Sequence, residues 1–319
     1  MIQYGQTLPP SHVVAHLSDT HLLAGQARQY DAIDTVEQLT RALDRLGRID
    51  PAPHALVFTG DLADRGQPEA YATLRSLVEK AAAEMGAQIV WCMGNHDDRA
   101  AYARALFDAE PAEAAEAADA ADATQDRVYD VGGLRIVAVD TSVPGWHHGE
   151  LTDDQLSWLI DVLTEPAEHG TILALHHPPI PSPLLPAAEI IELLDQPRLA
   201  DVLRGTDVRA ILGGHYHFTS HSTFVGIPVS VAAATCYLAD PAPLDRFISA
   251  VDGNTSVNVL HVYDDRVVHT VVPVPEAPEV SGYGMDVAPL VEAMSPEERR
   301  EMFSRKSSDF NRGKDGPEV

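Results

Sequence analysis

The chain has 319 residues, 45% of them apolar, and 48 acidic against 22 basic side chains give a net charge of -26. That length suits one large domain or two small ones with a full core, and a field of that sign repels DNA, RNA and anionic membrane surfaces. A phosphorylated substrate would need local positive charge, which bound cations would supply.

The N-terminal residues lack a basic region followed by an apolar run, so no signal peptide is expected. No apolar run approaches the ~20 residues of a membrane span. The expectation is a cytoplasmic protein without integral membrane association. Cys92 and Cys236 form no Cys-x-x-Cys pair and read as reduced core thiols.

In chain order, residues 13–17 read as a strand closed by Ser18-Asp19-Thr20-His21, and residues 32–46 carry apolar side chains at helical spacing. A second strand, 55–58, stops at Thr59-Gly60-Asp61. A helix over 69–85 leads to a third strand, 88–93, which ends in Gly94-Asn95-His96-Asp97. This βαβαβ rhythm predicts a mostly parallel sheet with helices on its faces. The segment 108–126 has seven acids and no basic residue and reads as a solvated helix or insertion outside any site. Residues 128–131 and 134–139 read as a hairpin over Gly132-Gly133. A helix over 151–163 follows. Strands at 172–175 and 208–212 run into His176-His177 and Gly213-Gly214-His215-Tyr216-His217. Beyond these the pattern is all strand, at 219–225, 228–232, 257–263 and 266–272, so a second sheet packed on the first with helices outside is expected. From Glu276 the strand pattern is lost, although Ser295-Pro296-Glu297-Glu298 can open a short helix. The expected organisation is one domain over 1–275 and a tail over 276–319.

Five blocks thus place possible metal ligands just after apolar strands: Asp19 and His21, Asp61, Asn95, His176, and His215 with His217. In open α/β sheets ligands bind beyond the carboxyl ends of the strands, so distant segments would meet at one edge. In extended backbone, residues two apart point the same way, which would aim Asp19 with His21, and His215 with His217, at a common point. Carboxylates, an amide oxygen and imidazoles are a donor mix for borderline-hard cations. No block is specific alone; the five in this order are.

The order Asp-x-His, Gly-Asp, Gly-Asn-His-Asp, His, Gly-His-x-His resembles the calcineurin-like metallophosphoesterase superfamily over roughly residues 12–273. Within it, Leu17–His21, Phe58–Leu62, Met93–Asp98, Asp140-Thr141-Ser142 and Ala174–Pro179 resemble the bacterial class III cyclic-nucleotide phosphodiesterases. The resemblance implies a four-layer αββα sandwich of two mixed sheets. It implies that Asp19, His21, Asp61 and His217 hold one metal ion and that Asp61, Asn95, His176 and His215 hold a second, with Asp61 bridging. The pair would be iron and manganese, with zinc or cobalt fitting the same donors. The implied reaction is hydrolysis of 3′,5′-cyclic AMP to 5′-AMP, and of other phosphodiesters, by a hydroxide shared between the ions.

Beyond the metal ligands, His96 is the candidate for protonating the departing oxygen. Asp64 is the family's matching position for fixing the His96 tautomer, with Asp97 as the local rival. Asn95 and His96 would also touch substrate, and Arg65, His148 and His177 are further candidates for substrate contact. His177 also reads as a group behind the ligands. The loop carrying Trp146, His147 and His148, and the proline-rich stretch 178–186, are candidate pocket walls. His12, His54, His169, His221, His261 and His269 belong to no motif and read as structural. The partner class is a cyclic nucleotide or other small phosphodiester, with no nucleic acid, and the resemblance suggests a homodimer. Two other readings stand beside this one. One is a protein serine/threonine phosphatase, on the Gly60–Gly66 segment. The other is a catalytically silent metal-binding regulatory module.

Overall fold

The computed structural model describes residues 4–109 and 123–312. Most of the acidic segment, 110–122, lies outside the described residues. The chain divides into a body, Ser11–Pro275, and a second unit formed by residues 4–10 and 276–312. The expected first domain, 1–275, differs from the body by its N-terminal segment, of which residues 4–10 lie in the second unit.

Two large mixed sheets carry the body. In the first, β1 (His12–Leu17), β2 (Ala55–Thr59) and β3 (Gln88–Cys92) are parallel neighbours. β12 (Ser256–Val262) pairs antiparallel with β1, and β13 (Val267–Pro273) closes the edge. In the second sheet, β4 (Arg127–Val131) forms a hairpin with β5 (Leu134–Val139). β5, β6 (Thr171–Leu175), β7 (Val208–Gly213) and β9 (Ile227–Val231) are parallel in that order, and β8 (Ser220–Phe224) ends the sheet. β1, β2 and β6 are buried along their whole length, which is why they read as continuous apolar runs; such strands are covered on both faces.

Three apolar clusters define four layers. Between the sheets lie Val14, Val57 and Val90 of the first against Ile136, Ile172 and Leu212 of the second. The outer face of the first sheet packs on α1 (Thr35–Leu46), α2 (Pro68–Met85) and α3 (Arg99–Phe107), through residues such as Phe58, Leu39, Tyr71 and Tyr102. The outer face of the second packs on α4 (Asp153–Leu163) and α5 (Gln196–Leu203), through Leu173, Leu159 and Leu199. Each fully buried large apolar side chain contributes roughly 1.5–3 kcal/mol. The αββα sandwich is therefore the arrangement the sequence led us to expect.

The helix expected from residue 32 begins at Thr35, behind an Asp34 side chain that accepts from the Glu37 amide. The residues before it form a turn. α3 and α5 were not expected; α3 has an Ala-rich face with weak amphipathic contrast and starts at the Asp98 cap, directly after a ligand block. A short hairpin, β10 (Leu238–Ala239) with β11 (Ala250–Val251), was also not expected. In the second unit Ser295 and Glu298 cap a helix reciprocally, as the sequence predicted. Among the described residues no helix is long and apolar enough to cross a membrane.

Candidate metal centre

All five blocks meet at one edge, where β1, β2 and β3 of one sheet and β6 and β7 of the other deliver their carboxyl ends. Asp19 and the Gly60 carbonyl are linked by a 3.0 Å backbone hydrogen bond, the His21 amide donates to the Asp61 carbonyl at 2.9 Å, and the Gly214 amide donates to the His176 carbonyl at 2.9 Å. The local backbone is not the extended form expected from spacing. Asp19, His21, Asp61, His215 and His217 all have positive φ, between 44° and 71°. The strands end in left-handed residues that turn the chain back over the edge. Such residues cost of order 1–3 kcal/mol each and persist where the surroundings over-determine them.

Side-chain atoms of Asp19, His21, Asp61 and His217 converge within 4.8 Å of one another. His217 Nε2 is 3.2 Å from Asp19 Oδ1 and 3.2 Å from His21 Nε2. Asp61 Oδ2 is 3.4 Å from His21 Nε2 and 3.3 Å from His176 Nε2. One carboxylate oxygen therefore stands between two sets of donors. On its far side, Asn95 Oδ1 is 3.1 Å from His176 Nε2, and His215 Nδ1 is 3.1 Å from the same nitrogen.

The outer ring nitrogens are tied down, which leaves the inner ones as donors. His21 Nδ1 donates to Asp64 Oδ1 at 3.0 Å, His176 Nδ1 to the Thr59 carbonyl at 2.7 Å, and His215 Nε2 to the Ile191 carbonyl at 2.9 Å. Asp19 Oδ2 accepts the His215 amide at 3.0 Å, while Asp19 Oδ1 is buried with no hydrogen-bond partner. An orphaned buried carboxylate oxygen facing imidazole nitrogens is unfavourable in isolation and is suited to a cation. The donor set thus fits two metal ions that share Asp61.

The electrostatics are those of a tightly packed charge cluster. Burial opposes ionisation of Asp19, but the imidazoles of His217 and His176 together hold the carboxyl below its usual range. Burial likewise opposes ionisation of Asp61, and His176, His96 and His21 together hold its carboxyl well below the usual range. Burial opposes protonation of His176, but the Asp61 carboxylate raises its pKa to about 9. His215 goes the other way, lowered to about 3 by burial and by His176.

Close packing holds this geometry. A Cβ on Gly94 would lie 2.3 Å from Asp61 Oδ1, and one on Gly214 would lie 1.9 Å from Ser18 Oγ. Asp97 clasps the second and third blocks together. Its carboxylate accepts from the amides of Leu62, Ala63 and Gly94 and from Tyr71 Oη. Burial and the nearby Asp61 raise its pKa to about 6.

A cavity of about 220 Å³ opens over the cluster and is lined by Asn95, His96, His147, Tyr30 and Tyr237, among others. His96 faces it. Its amide donates to Asp61 Oδ1 at 2.8 Å, and its Nδ1 donates to the Asp64 carbonyl at 2.9 Å. Burial opposes protonation of His96, yet Asp61 and the Asp64 carbonyl raise its pKa. The tautomer of His96 is thus set by the backbone of Asp64, whose carboxylate is engaged with His21 and with Gln29 Nε2. Asp97, the local rival, is occupied by its amide clasp.

Three expected substrate contacts lie elsewhere. The Arg65 side chain is 73% exposed beside Asp64. His148 pairs with Glu150. His177 is fully buried, between Thr141 Oγ1 at 2.7 Å and the His147 carbonyl at 3.1 Å. It fixes the loop that presents His147, whose Nδ1 is 2.9 Å from Asn95 Nδ2. None of the three lines the cavity. The aromatic wall of Tyr30 and Tyr237 was not foreseen, because neither residue belongs to a block.

Residues 12–218 match the calcineurin-like phosphoesterase family. The chain is 52% identical over 264 residues to a cAMP/cGMP dual specificity phosphodiesterase of Mycobacterium tuberculosis, spanning 83% of this chain and 80% of that one. It is 51% identical over 264 residues to a probable cyclic nucleotide phosphodiesterase of Rhodococcus erythropolis, spanning 83% and 84%. Among solved structures, a dimetal phosphatase of Danio rerio shares the fold at a TM-score of 0.58 and 15% identity, spanning 84% of this chain and 98% of that one. The chain belongs to the calcineurin-like metallophosphoesterase family.

Proposed function

We propose that the protein hydrolyses 3′,5′-cyclic AMP to 5′-AMP and accepts other small phosphodiesters. The observation that carries the hydrolytic reading is the single Asp61 oxygen at 3.4 Å and 3.3 Å from the inner nitrogens of His21 and His176, and cyclic AMP as substrate is supported by the 52% identity to the mycobacterial cAMP/cGMP phosphodiesterase. That oxygen divides the donors into two sets. Asp19, His21, Asp61 and His217 would hold one ion, and Asp61, Asn95, His176 and His215 the other. Mixed carboxylate, amide and imidazole donors suit iron and manganese, and zinc or cobalt fit the same set. When bound, such a pair neutralises phosphate oxygens and makes water a nucleophile near neutral pH.

The chain's own residues do the rest. Asn95 turns its oxygen to His176 and its nitrogen to His147, so its side chain sits where a phosphate oxygen would enter. His96 uses Nδ1 on the Asp64 carbonyl, which leaves Nε2 for the cavity. Opening a cyclic phosphate at its 3′ oxygen expels an alkoxide. A histidine whose pKa is raised by Asp61 is suited to protonate it. Homodimerisation, on the family resemblance, and a cytoplasmic location, on the free buried thiols of Cys92 and Cys236, belong to the same reading.

The test is conversion of cyclic AMP to AMP by purified protein loaded with manganese or iron, with metal content measured alongside. Asn95→Ala should abolish turnover and weaken one metal site. An Asn95→Ala protein that remains active would remove the ligand assignment.

A further inference from the structure

Tyr30 sits in a conformation that its residue type disfavours. The Ala32 amide bonds to the Gln29 carbonyl at 3.1 Å, closing a tight turn. Gln29 and Ile33 pair across that turn. Its two central residues, Tyr30 and Asp31, have φ of 52° and 56°. Turns of this kind favour glycine, asparagine or aspartate, and strained non-glycine residues gather at ligand clamps. The strain holds a ring that is 66% exposed at the mouth of the cavity. The turn is also anchored to the metal-binding cluster, since Gln29 Nε2 bonds to Asp64 Oδ1, which in turn holds His21.

Tyr237 continues this wall inward. Its ring centroid is 5.5 Å from that of Tyr30, edge to face, and the two hydroxyls are 3.3 Å apart. On its other side it lies 4.3 Å from the His217 ring. The aromatic wall therefore runs from a candidate metal ligand out to solvent. Next to it the cavity is lined by Ala239, Ile248, Ser249 and Ala250 of the short hairpin. These side chains offer planar and apolar surface and three hydroxyls, those of Tyr30, Tyr237 and Ser249, which can donate or accept, with no amide or carboxylate to tell one purine edge from another.

We propose that Tyr30 and Tyr237 form a subsite for the planar base of a nucleotide, which binds it by its face and accepts adenine and guanine alike. This rests on the phosphodiesterase reading for the position of the phosphate. Stacking of a base on an aromatic side chain changes affinity by about five- to 150-fold when the ring is removed.

The experiment measures binding by calorimetry to the metal-loaded full chain, using 5′-AMP, 5′-GMP and ribose 5-phosphate. Wild-type protein should bind both nucleotides with similar affinity and ribose 5-phosphate about tenfold or more weakly. Tyr30→Gly should bring the nucleotides down toward ribose 5-phosphate while ribose 5-phosphate itself is unchanged. Tyr30→Trp should keep the gap. Because glycine relieves the left-handed strain, Tyr30→Gly should melt no lower than wild type, an outcome that separates lost stacking from lost structure. A gap that survives in Tyr30→Gly, or a parallel loss for ribose 5-phosphate, overturns the proposal. A wild-type preference for one purine above tenfold overturns recognition by face. Failure to hydrolyse cyclic AMP would count against the proposed reaction and would leave this binding gap measurable.

Discussion

Gly94→Ala tests how closely the site depends on packing. Gly94 does not have a left-handed backbone, so the substitution is a test of space alone. The new Cβ would lie 2.2 Å from the Asp61 amide nitrogen, 2.3 Å from Asp61 Oδ1 and 3.0 Å from Asp61 Cγ. Ordinary contact needs more than an ångström beyond the first two, and Asp61 must supply most of that movement. Its other oxygen lies 3.3–3.4 Å from the donors of both clusters, so the shift is felt on both sides at once. Displacements near 1 Å cost about 100-fold in rate, which is about 2.7 kcal/mol. Overpacking adds about 1–3 kcal/mol of lost stability. The assay is kcat/KM on cyclic AMP with metal stoichiometry, beside Gly47→Ala, whose Cβ meets only ordinary contacts at 3.6 Å or more. A Gly94→Ala protein with two metals and activity within threefold of wild type would refute this reasoning.

Other expectations concern separate parts of the molecule. His96→Ala should keep its metals and lose about 100-fold or more in kcat on cyclic AMP, with a much smaller loss on bis-p-nitrophenyl phosphate, whose leaving group needs no proton; equal losses would argue against proton donation. Arg99 is 8% exposed and pairs with the buried Asp140 at 2.9 Å, so Arg99→Ala should cost about 3–5 kcal/mol in urea denaturation. His16 is lowered to about 3 by burial and His269, and His269 to about 4 by burial and His221. Both are neutral when folded but take up protons near pH 6.5 when unfolded. The stability they contribute is therefore complete above about pH 6.5 and is lost as pH falls toward 4. The urea midpoint should drop across that window, and His269→Leu should flatten the slope.

The blocks were legible because strand ends, glycines and ligand types coincide in them, so Asp19, Asp61, Asn95, His176 and His215 could be placed at one edge from order alone. A second sheet was legible from the strand pattern, but its membership was not: the strands expected at 257–263 and 266–272 join the first sheet, where β12 pairs with β1 and β13 with β12. Other features depended on contacts that spacing does not carry. Asp64 lies near His96 in either reading, but only the folded chain reveals that the carbonyl serves His96 and the carboxylate serves His21. His148 and His147 are adjacent in sequence, and loop geometry alone puts His147 in the cavity wall. Tyr30 is a lone aromatic in a turn whose strain is invisible until φ is known.

The left-handed backbone at five of the candidate ligands carries a further consequence. Aspartate and histidine are among the few residue types other than glycine that tolerate this conformation, and they are also metal donors. Each of these positions is thus constrained twice, by conformation and by chemistry. Glycine at Asp19 or His217 would suit the chain trace and lose the donor, while valine would fail on both counts. A saturation scan should then show two separable kinds of defect at the same codons: folded protein without metal, and protein that does not accumulate.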